Sequence, residues 1–216
     1  MYLTHIPNWL QSCYPSYHWR IPTQEKVVYL TFDDGPTEEV TEWTLDQLAQ
    51  YEAKATFFVI GKNVQQHPSI LQEILSQGHV VGNHTFTHNN GRQTATEDYL
   101  QSIQQTQDIC KKHGDITPTL FRPPYGRMTW AQIQEVKKQF PIVMMDVISA
   151  DFELHKEGEE CTKLVCESSQ EGSIILFHDS VKAFPRLEKA LPDVLSHFAR
   201  LGYRFESIPA LPLGRE

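Results

Sequence analysis

The chain of 216 residues has little of several features that mark other classes of protein. Its only cysteines are Cys13, Cys110, Cys161 and Cys166, and their spacing is not that of a zinc knuckle. Free buried thiols are expected, which is consistent with a reducing compartment. No run of about eighteen apolar residues occurs, so no transmembrane segment is expected. The 27 acidic residues exceed the 19 basic ones, and the net charge of −8 argues against nucleic acid and anionic membranes as partners.

The first twenty residues also lack the pattern of a signal peptide, because no basic start is followed by an apolar stretch. This favours a cytoplasmic location, and a mature secreted fragment would also fit. The chain contains no repeat, low-complexity tract or linker, so we expect one domain at residues 27–210. Residues 1–26 are expected to be an N-terminal extension packed on that domain, with three aromatic anchors, Tyr14, Tyr17 and Trp19.

Short apolar stretches alternate with stretches of helical periodicity. The predicted strands are 27–32, 55–60, 79–82, 119–121, 142–147, 173–177 and 203–207. The helical patterns between them include 38–51, 70–76, 97–112, 131–139 and 187–201. Strands that alternate with helices indicate an α/β fold with a parallel sheet closed into a barrel.

Two adjacent carboxylates, Asp33 and Asp34, stand where the apolar strand 27–32 breaks into the turn Gly35-Pro36. Loops at the carboxyl ends of parallel strands converge on one crevice, and this is where such folds place their chemistry. A turn needs only one Asp. Two neighbouring carboxylates repel each other, so a compensating partner is expected.

Two histidines four residues apart, His84 and His88, follow the short apolar stretch Val80-Val81. On one helical turn this spacing would point both rings to the same side. Two histidines and one carboxylate are a usual ligand set for zinc or another first-row divalent metal. Alone, such a pair is more often two polar loop residues, but the Asp-Asp turn favours a metal site.

Three further polar clusters follow predicted strands. Arg122 precedes two prolines in Phe121-Arg122-Pro123-Pro124-Tyr125, where a stiff backbone suits a bidentate clamp on a carboxylate. Asp151 follows the strand 142–147, and His178 ends the strand 173–177. Each cluster alone could be a strand followed by a polar loop with no catalytic role. Five such clusters in succession favour a catalytic site.

Together these motifs resemble the metal-dependent polysaccharide deacetylases of carbohydrate esterase family 4, also called the NodB homology domain. The resemblance runs from about Val27 to about Phe205, with the motifs in the family's order: Thr-Phe-Asp-Asp-Gly, His-Thr-Phe-Thr-His, Arg-Pro-Pro-Tyr, Asp-Val-Ile-Ser-Ala-Asp-Phe and Leu-Phe-His. The first two motifs are highly specific. The resemblance implies a distorted (β/α) barrel of about seven parallel strands in a single domain. It also implies a hydrolase that removes N-acetyl or O-acetyl groups from an acetylated carbohydrate.

The resemblance further implies roles for individual residues. Asp34, His84 and His88 would bind the metal, by default zinc, with cobalt, manganese and nickel as alternatives. Asp33 would be the base that deprotonates a metal-bound water, and Arg122 would orient it. Because no Ser or Cys lies in a nucleophile-elbow pattern, water is expected to attack directly.

On the substrate side, the resemblance implies that His178 is the general acid that protonates the leaving amine, with Asp151 tuning its pKa. The backbone N–H of Tyr125 would help the metal to hold the oxyanion. Three more residues would line the substrate: Leu176 at the acetyl methyl, Phe152 as an aromatic wall, and Pro124.

The fourth motif departs from the family pattern. Where relatives often carry Asp and Trp, this chain has Ile148 and Phe152, and Met145 takes the place of a frequent Trp. Phe152 keeps an aromatic wall but loses the indole N–H. These changes bear on substrate choice and on the tuning of His178, whereas Asp146 is expected to be structural.

Two other functions stay open. One is hydrolysis of another C–N bond in a small molecule on the same barrel, which a closed, aromatic-poor pocket would favour. The other is a catalytically weak, metal-containing sugar-binding module that lost activity through the altered fourth motif. Since the base, the metal ligands and the acid are all present, the sequence favours the deacetylase.

Overall fold

The computed structural model describes residues 7–213, apart from two side chains of its first helix. Its strands are β1 (Tyr17–His18), β2 (Val27–Asp33), β3 (Thr56–Val59), β4 (Val80–Asn83), β5 (Ile142–Val143), β6 (Val147–Ile148), β7 (Ile174–His178) and β8 (Arg204–Phe205). Its α-helices are α1 (Asn8–Ser12), α2 (Val40–Ala49), α3 (Gly61–Gln66), α4 (Pro68–Ser76), α5 (Thr96–Gly114), α6 (Trp130–Val136), α7 (Gly158–Ser168) and α8 (Phe184–Arg200). Single turns of 3-10 helix occur at Gly91–Gln93 and Pro124–Gly126.

The strands form a distorted parallel barrel. Hydrogen-bonded neighbours run in the order β4, β3, β2, β7 and β6, all parallel. Phe121 extends this arrangement, because it forms parallel bridges with Asn83 at the end of β4 and with Ile142 in β5. The predicted α/β fold, a distorted (β/α) barrel of about seven parallel strands, is confirmed.

Two hydrophobic cores lie on opposite sides of the barrel wall. Residues of β2 alternate between them: Val28 and Phe32 belong to the outer core beneath the helices, and Tyr29 belongs to the inner core. The strand is buried throughout, as is typical of a central parallel strand. Because side chains alternate along a strand, Thr31 and Asp33 fall on the inner face at the carboxyl end. The packing of β2 therefore delivers a carboxylate to the mouth of the barrel.

The predicted strand 142–147 is wrong as one continuous element, because β5 and β6 are separate. Between them the backbone bonds elsewhere: the carbonyls of Val143 and Met144 accept from the Arg122 guanidinium, and Met144 N–H donates to the His18 carbonyl. The strand predicted at 119–121 is reduced to the bridges of Phe121. The strand predicted at 203–207 is only two residues long and pairs with the start of β2.

The sequence predicts neither β1 nor α3. Strand β1 is two residues long and exists by pairing with the equally short β5. Helix α3 buries Gly61 and Val64, so its apolar periodicity is weak. Both elements depend on tertiary contacts rather than on a local pattern.

The N-terminal segment lies against the inner core through Tyr17 and Trp19, and Tyr17 also stacks on Tyr14 with ring centroids 5.2 Å apart. Residues 1–6 of the predicted extension lie outside the described residues. Within residues 7–213, no helix is both long enough and apolar enough to cross a bilayer.

The four cysteines are free. Cys110 and Cys161 are buried as expected, and Cys166 is half-buried. Cys13 is exposed, so the expectation of a buried thiol is wrong there. It lies just after α1, in the thin N-terminal segment outside the barrel, where little chain is available to cover it.

Candidate active site

The polar ends of neighbouring strands meet at one end of the barrel. Asp33 ends β2 and His178 ends β7, and the two residues are direct partners in the strand register. The loops that carry the remaining predicted site residues follow β4, Phe121 and β6 at the same end. Parallel strands place their carboxyl ends together, so segments far apart in the sequence converge here.

Asp34, His84 and His88 form a group that could hold a metal ion. One donor atom from each lies within 4.8 Å of the others, and Asp34 Oδ1 is 3.2 Å from His88 Nε2. Asp34 Oδ1 is buried and has no hydrogen-bond partner among the described residues. A buried carboxylate oxygen without a hydrogen-bond partner is unfavourable because it has lost its hydration, and a bound cation would compensate for that loss. Two imidazole nitrogens and one carboxylate oxygen therefore fit a first-row divalent metal.

The hydrogen bond on the far side of the His84 ring fixes which nitrogen faces this group. His84 Nδ1 lies 2.7 Å from the carbonyl oxygen of Arg122, which can only accept, so Nδ1 donates. In the neutral tautomer Nε2 then presents a lone pair toward Asp34, 3.8 Å away. A backbone carbonyl that orients an imidazole in this way is common behind metal-ligating histidines.

The loop between the two histidines corrects one sequence expectation. His84 and His88 do not share a helical turn, because Thr85 and His88 take positive φ angles of 65° and 56°. Asn83 Oδ1 accepts from Thr85 N–H, and Thr85 Oγ1 accepts from Asn89 N–H, and these bonds curl the loop. The rings meet with centroids 5.1 Å apart. Burial and the neighbouring His84 lower the pKa of His88 to about 4, which leaves it neutral and able to ligate.

Asp33 is held from beneath by Arg122. The Arg122 guanidinium donates to Asp33 Oδ1 at 2.7 Å and also to Thr31 Oγ1 at 2.8 Å. Its other nitrogens bond the carbonyls of Val143 and Met144, so the fork has no freedom to move. The second carboxylate oxygen of Asp33 stays free for chemistry, at 3.7 Å from His84 Nε2.

His178 forms a buried pair with Asp151. Its Nδ1 lies 2.8 Å from Asp151 Oδ1, and its backbone N–H donates to Asp151 Oδ2 at 2.7 Å. Burial lowers the pKa of His178, but the Asp151 carboxylate and its hydrogen bond outweigh that effect, and with Asp34 and Asp33 they raise the pKa to about 9. His178 therefore carries a proton at neutral pH, and its Nε2 remains available to donate it.

The predicted substrate-side residues lie around these groups. Tyr125 has a positive φ of 59°, is exposed, and sets its ring edge-on to His88 with centroids 4.5 Å apart. Pro124, directly before it, is buried. The Phe152 ring meets His178 edge-on at 5.2 Å, and Leu176 is buried two residues before His178 on the same face of β7.

Three polar residues outside the predicted set also hold the site together. Thr31 accepts from Arg122, Asn63 donates to the Asp34 carbonyl, and Asp179 accepts from Gly35 N–H. Thr31 is the first residue of the Thr-Phe-Asp-Asp-Gly motif and Asp179 directly follows His178, which is the one sequence signal that could have found them. Asn63 lies in α3, a helix that the sequence does not predict.

A model of the polysaccharide deacetylase family matches residues 20–143, which is more than half of the chain. The chain belongs to the polysaccharide deacetylase family. The matched range contains Asp33, Asp34, His84, His88 and Arg122, whereas Asp151 and His178 lie beyond it.

Curated relatives of this polysaccharide deacetylase include a peptidoglycan-N-acetylglucosamine deacetylase of Bacillus cereus, 33% identical over 94% of this chain and 74% of its own length. The peptidoglycan-N-acetylmuramic acid deacetylase PdaC of Bacillus subtilis is 31% identical over 88% of this chain and 40% of its own length. Both names describe removal of acetyl groups from amino sugars.

Solved structures show the same architecture. A peptidoglycan N-acetylglucosamine deacetylase in complex with 4-naphthalen-1-yl-N-oxidanyl-benzamide matches with a TM-score of 0.86 and 32% identity, covering 92% of this chain and 94% of that one. A family 4 acetyl xylan esterase of Clostridium thermocellum, in complex with a cobalt ion, matches with a TM-score of 0.78 and 28% identity, covering 84% and 88%. The barrel and the family are thereby established.

Proposed function

We propose that this polysaccharide deacetylase is a metal-dependent hydrolase that removes N-acetyl groups from amino sugars of a peptidoglycan-type glycan. One observation carries the proposal: a carboxylate clamped by Arg122, Asp33, and an imidazole paired with Asp151, His178, flank three side chains that could hold a metal ion. The names of the relatives support an amide rather than an ester as the bond that is cleaved. The acetyl xylan esterase among the structural neighbours keeps O-deacetylation as the alternative.

Asp34, His84 and His88 would hold the metal. A divalent ion bound there would polarise the acetyl carbonyl and lower the pKa of water toward about 7. Asp33 accepts the proton of the attacking water, because its free oxygen faces the three ligands while Arg122 fixes the other.

His178 protonates the nitrogen of the leaving amine. An amine leaves poorly as an anion, so a positioned acid is needed, and Asp151 keeps His178 protonated and oriented. The negative charges of Asp34 and Asp33 contribute to the raised pKa, and a bound cation would offset them and bring the pKa closer to neutrality. The backbone N–H of Tyr125 would donate to the developing oxyanion, a contact worth roughly 2.7–4 kcal/mol in comparable sites.

The decisive experiment measures acetate release from N-acetylated and O-acetylated oligosaccharides by protein that has been stripped with a chelator and then supplied with zinc. Asp33→Asn should keep the metal affinity and lose about 10²–10⁴-fold in kcat, the usual contribution of a general base. His84→Ala should lose both the metal affinity and the turnover. Asp115→Asn is the control, because Asp115 is an exposed Asp at the end of α5 that pairs with Lys111.

Each outcome has a distinct meaning. Acetate release that depends on added metal supports the proposal and identifies the substrate class. Undiminished turnover by Asp33→Asn would show that the base is another residue. Metal binding without release from any sugar would support the weak sugar-binding module or the small-molecule hydrolase, and reversion at Ile148 and Phe152 would then separate these two.

A further inference from the structure

The backbone of the proposed metal ligand Asp34 is in an uncommon conformation. Its φ is 81°, in the left-handed region that residues with a side chain rarely adopt. Such a conformation is unfavourable and persists only when its surroundings hold it in place. The contacts of the turn Asp34-Gly35 show which groups do so.

Asp179 holds the turn from one side. Its Oδ1 accepts from Gly35 N–H at 3.0 Å, and its Oδ2 accepts from the Thr41 hydroxyl at 2.5 Å. Thr41 Oγ1 in turn accepts from Thr37 N–H at 2.8 Å. One buried carboxylate thus ties both ends of the loop that leads from β2 into α2.

Gly35 lies directly over this carboxylate. A Cβ built on Gly35 would overlap the Asp179 carboxyl group, so only glycine allows the backbone to approach so closely. Asp179 N–H also donates to the Asp33 carbonyl at 3.1 Å, which continues the β2–β7 ladder by one bond. This backbone bond anchors Asp179 to β2, and its side chain contacts the turn from that fixed position.

Two groups near the start of α3 hold the turn from the other side. The Asn63 amide donates to the Asp34 carbonyl at 2.7 Å, and Ile60 N–H donates to the Gly35 carbonyl at 2.9 Å. Both peptide groups that flank Gly35 are thus bonded to segments outside their own loop. These bonds fix the direction of the Asp34 Cα–Cβ bond, and the carboxylate lies toward His84 and His88.

We propose that Asp179 and Asn63 are positioning residues that hold the Asp34 backbone so that its carboxylate faces His84 and His88. The inference rests on the proposed function, because it assumes that these three residues bind a divalent metal. Neither Asp179 nor Asn63 belongs to the ligand group itself. They act through the backbone, so their loss weakens metal binding without removing a ligand.

Asp146 is a matched control for a buried carboxylate with a purely structural role. It is as buried as Asp179, and it also accepts from one hydroxyl, Ser173 Oγ, and one backbone N–H, Ile174. It lies at the amino ends of β6 and β7, opposite the site. Comparing Asp179→Ala with Asp146→Ala separates positioning of Asp34 from the general cost of losing a buried acid.

The test is zinc affinity, measured by competition with a chromophoric chelator well below the melting temperature of each variant. Asp179→Ala and Asn63→Ala should raise the zinc dissociation constant by about 10–100-fold, the usual cost of losing an outer partner of a metal site. Asp179→Asn should bind zinc almost as tightly as wild type, since its amide oxygen can still accept from Gly35 N–H. Asp146→Ala should leave the affinity unchanged. The absorption spectrum of bound cobalt should change only in the two alanine variants at Asp179 and Asn63.

Unchanged zinc affinity in both of these alanine variants, or equal weakening in Asp146→Ala, would overturn the positioning roles. Should Asp179→Ala fail to fold, Asn63→Ala decides alone, because Asn63 is only half-buried. A wild-type protein that binds no divalent metal would overturn the proposed function as well, and that titration comes first.

Discussion

At the scale of single residues, the Asp151 carboxylate is the neighbour that most raises the pKa of His178, the proposed acid. Asp151 contacts both the ring and the backbone of His178, so its charge acts at hydrogen-bond distance in a buried setting. Electrostatic effects are large there because water screens them little. The raised pKa of His178 is therefore a property of this neighbour more than of the ring itself.

Asp151→Asn should shift the alkaline limb of the kcat/KM profile to lower pH. The acid acts when protonated, so activity is lost as pH rises through the pKa of His178, and removing the Asp151 charge lowers that pKa. The measurement is kcat/KM against pH for acetate release, with zinc saturating. Asp146→Asn, the same change at the far end of the barrel, should leave the limb in place. An alkaline limb that does not move in Asp151→Asn would assign it to another group.

The place of a residue at the site could be predicted from the sequence only where its polar group lies in the side chain. Carboxylates, imidazoles and the guanidinium are conspicuous after apolar strands, so the predicted base, ligands and acid all fall at one end of the barrel. Asp179 and Asn63 act by bonding the backbone of a remote turn. Asp179 and Gly35 are 144 residues apart, and no local pattern encodes that contact.

At the scale of secondary-structure elements, Arg122 is the junction between the two sides of the barrel. Its guanidinium bonds Thr31 and Asp33 of β2 and the carbonyls of Val143 and Met144 at the end of β5, and it lies 4.1 Å from the centroid of the Phe58 ring. Every one of these partners is buried. Removal of Arg122 would take a hydrogen-bond donor from one carboxylate and from two carbonyls.

Arg122→Met should lower the free energy of unfolding by about 3–5 kcal/mol, because one partner of a buried ion pair is lost. Arg204→Met is the control, since Arg204 also pairs with carboxylates, in its case Glu25 and Glu206, but its side chain is 60% exposed. An exposed pair is screened by solvent and contributes little to stability, so a much smaller loss is expected. Urea unfolding of both variants gives the comparison, and equal losses would contradict the role of Arg122 as a junction.

The elements that the sequence predicts well have long, regular apolar patterns, such as β2 and α8. Prediction fails where tertiary hydrogen bonds override the pattern. The stretch 142–147 is apolar enough for one strand. However, the carbonyls of Val143 and Met144 accept from the Arg122 guanidinium, and the stretch is divided into β5 and β6. Likewise, the His84–His88 spacing fits a helix, but side-chain bonds from Asn83 and Thr85 curl it into a loop.

At the scale of the whole molecule, exposed apolar side chains lie beside the site or near its residues in the sequence. Tyr125 is 62% exposed beside His88, and Leu154 and Val181, close in sequence to Phe152 and His178, are 71% and 72% exposed. Two cavities of about 690 and 580 Å³, one including Lys54 and the other including Asp146, lie toward the amino ends of the strands. Exposed apolar side chains such as Tyr125 offer a surface on which the sugar rings of a long substrate could pack.

The reaction should therefore accelerate with the length of the substrate. We expect kcat/KM for N-acetylglucosamine oligomers to rise from the monomer to the pentamer, because additional sugar rings would contact exposed apolar side chains such as Tyr125. Tyr125→Ala keeps the backbone N–H but removes one apolar surface, and it should raise KM for the pentamer by about tenfold if roughly 1.4 kcal/mol of binding is lost. Trp9→Ala, which removes an equally exposed aromatic on α1, should leave KM unchanged. A rate independent of length would favour a small-molecule substrate, since a single ring would then make every contact that the site can offer.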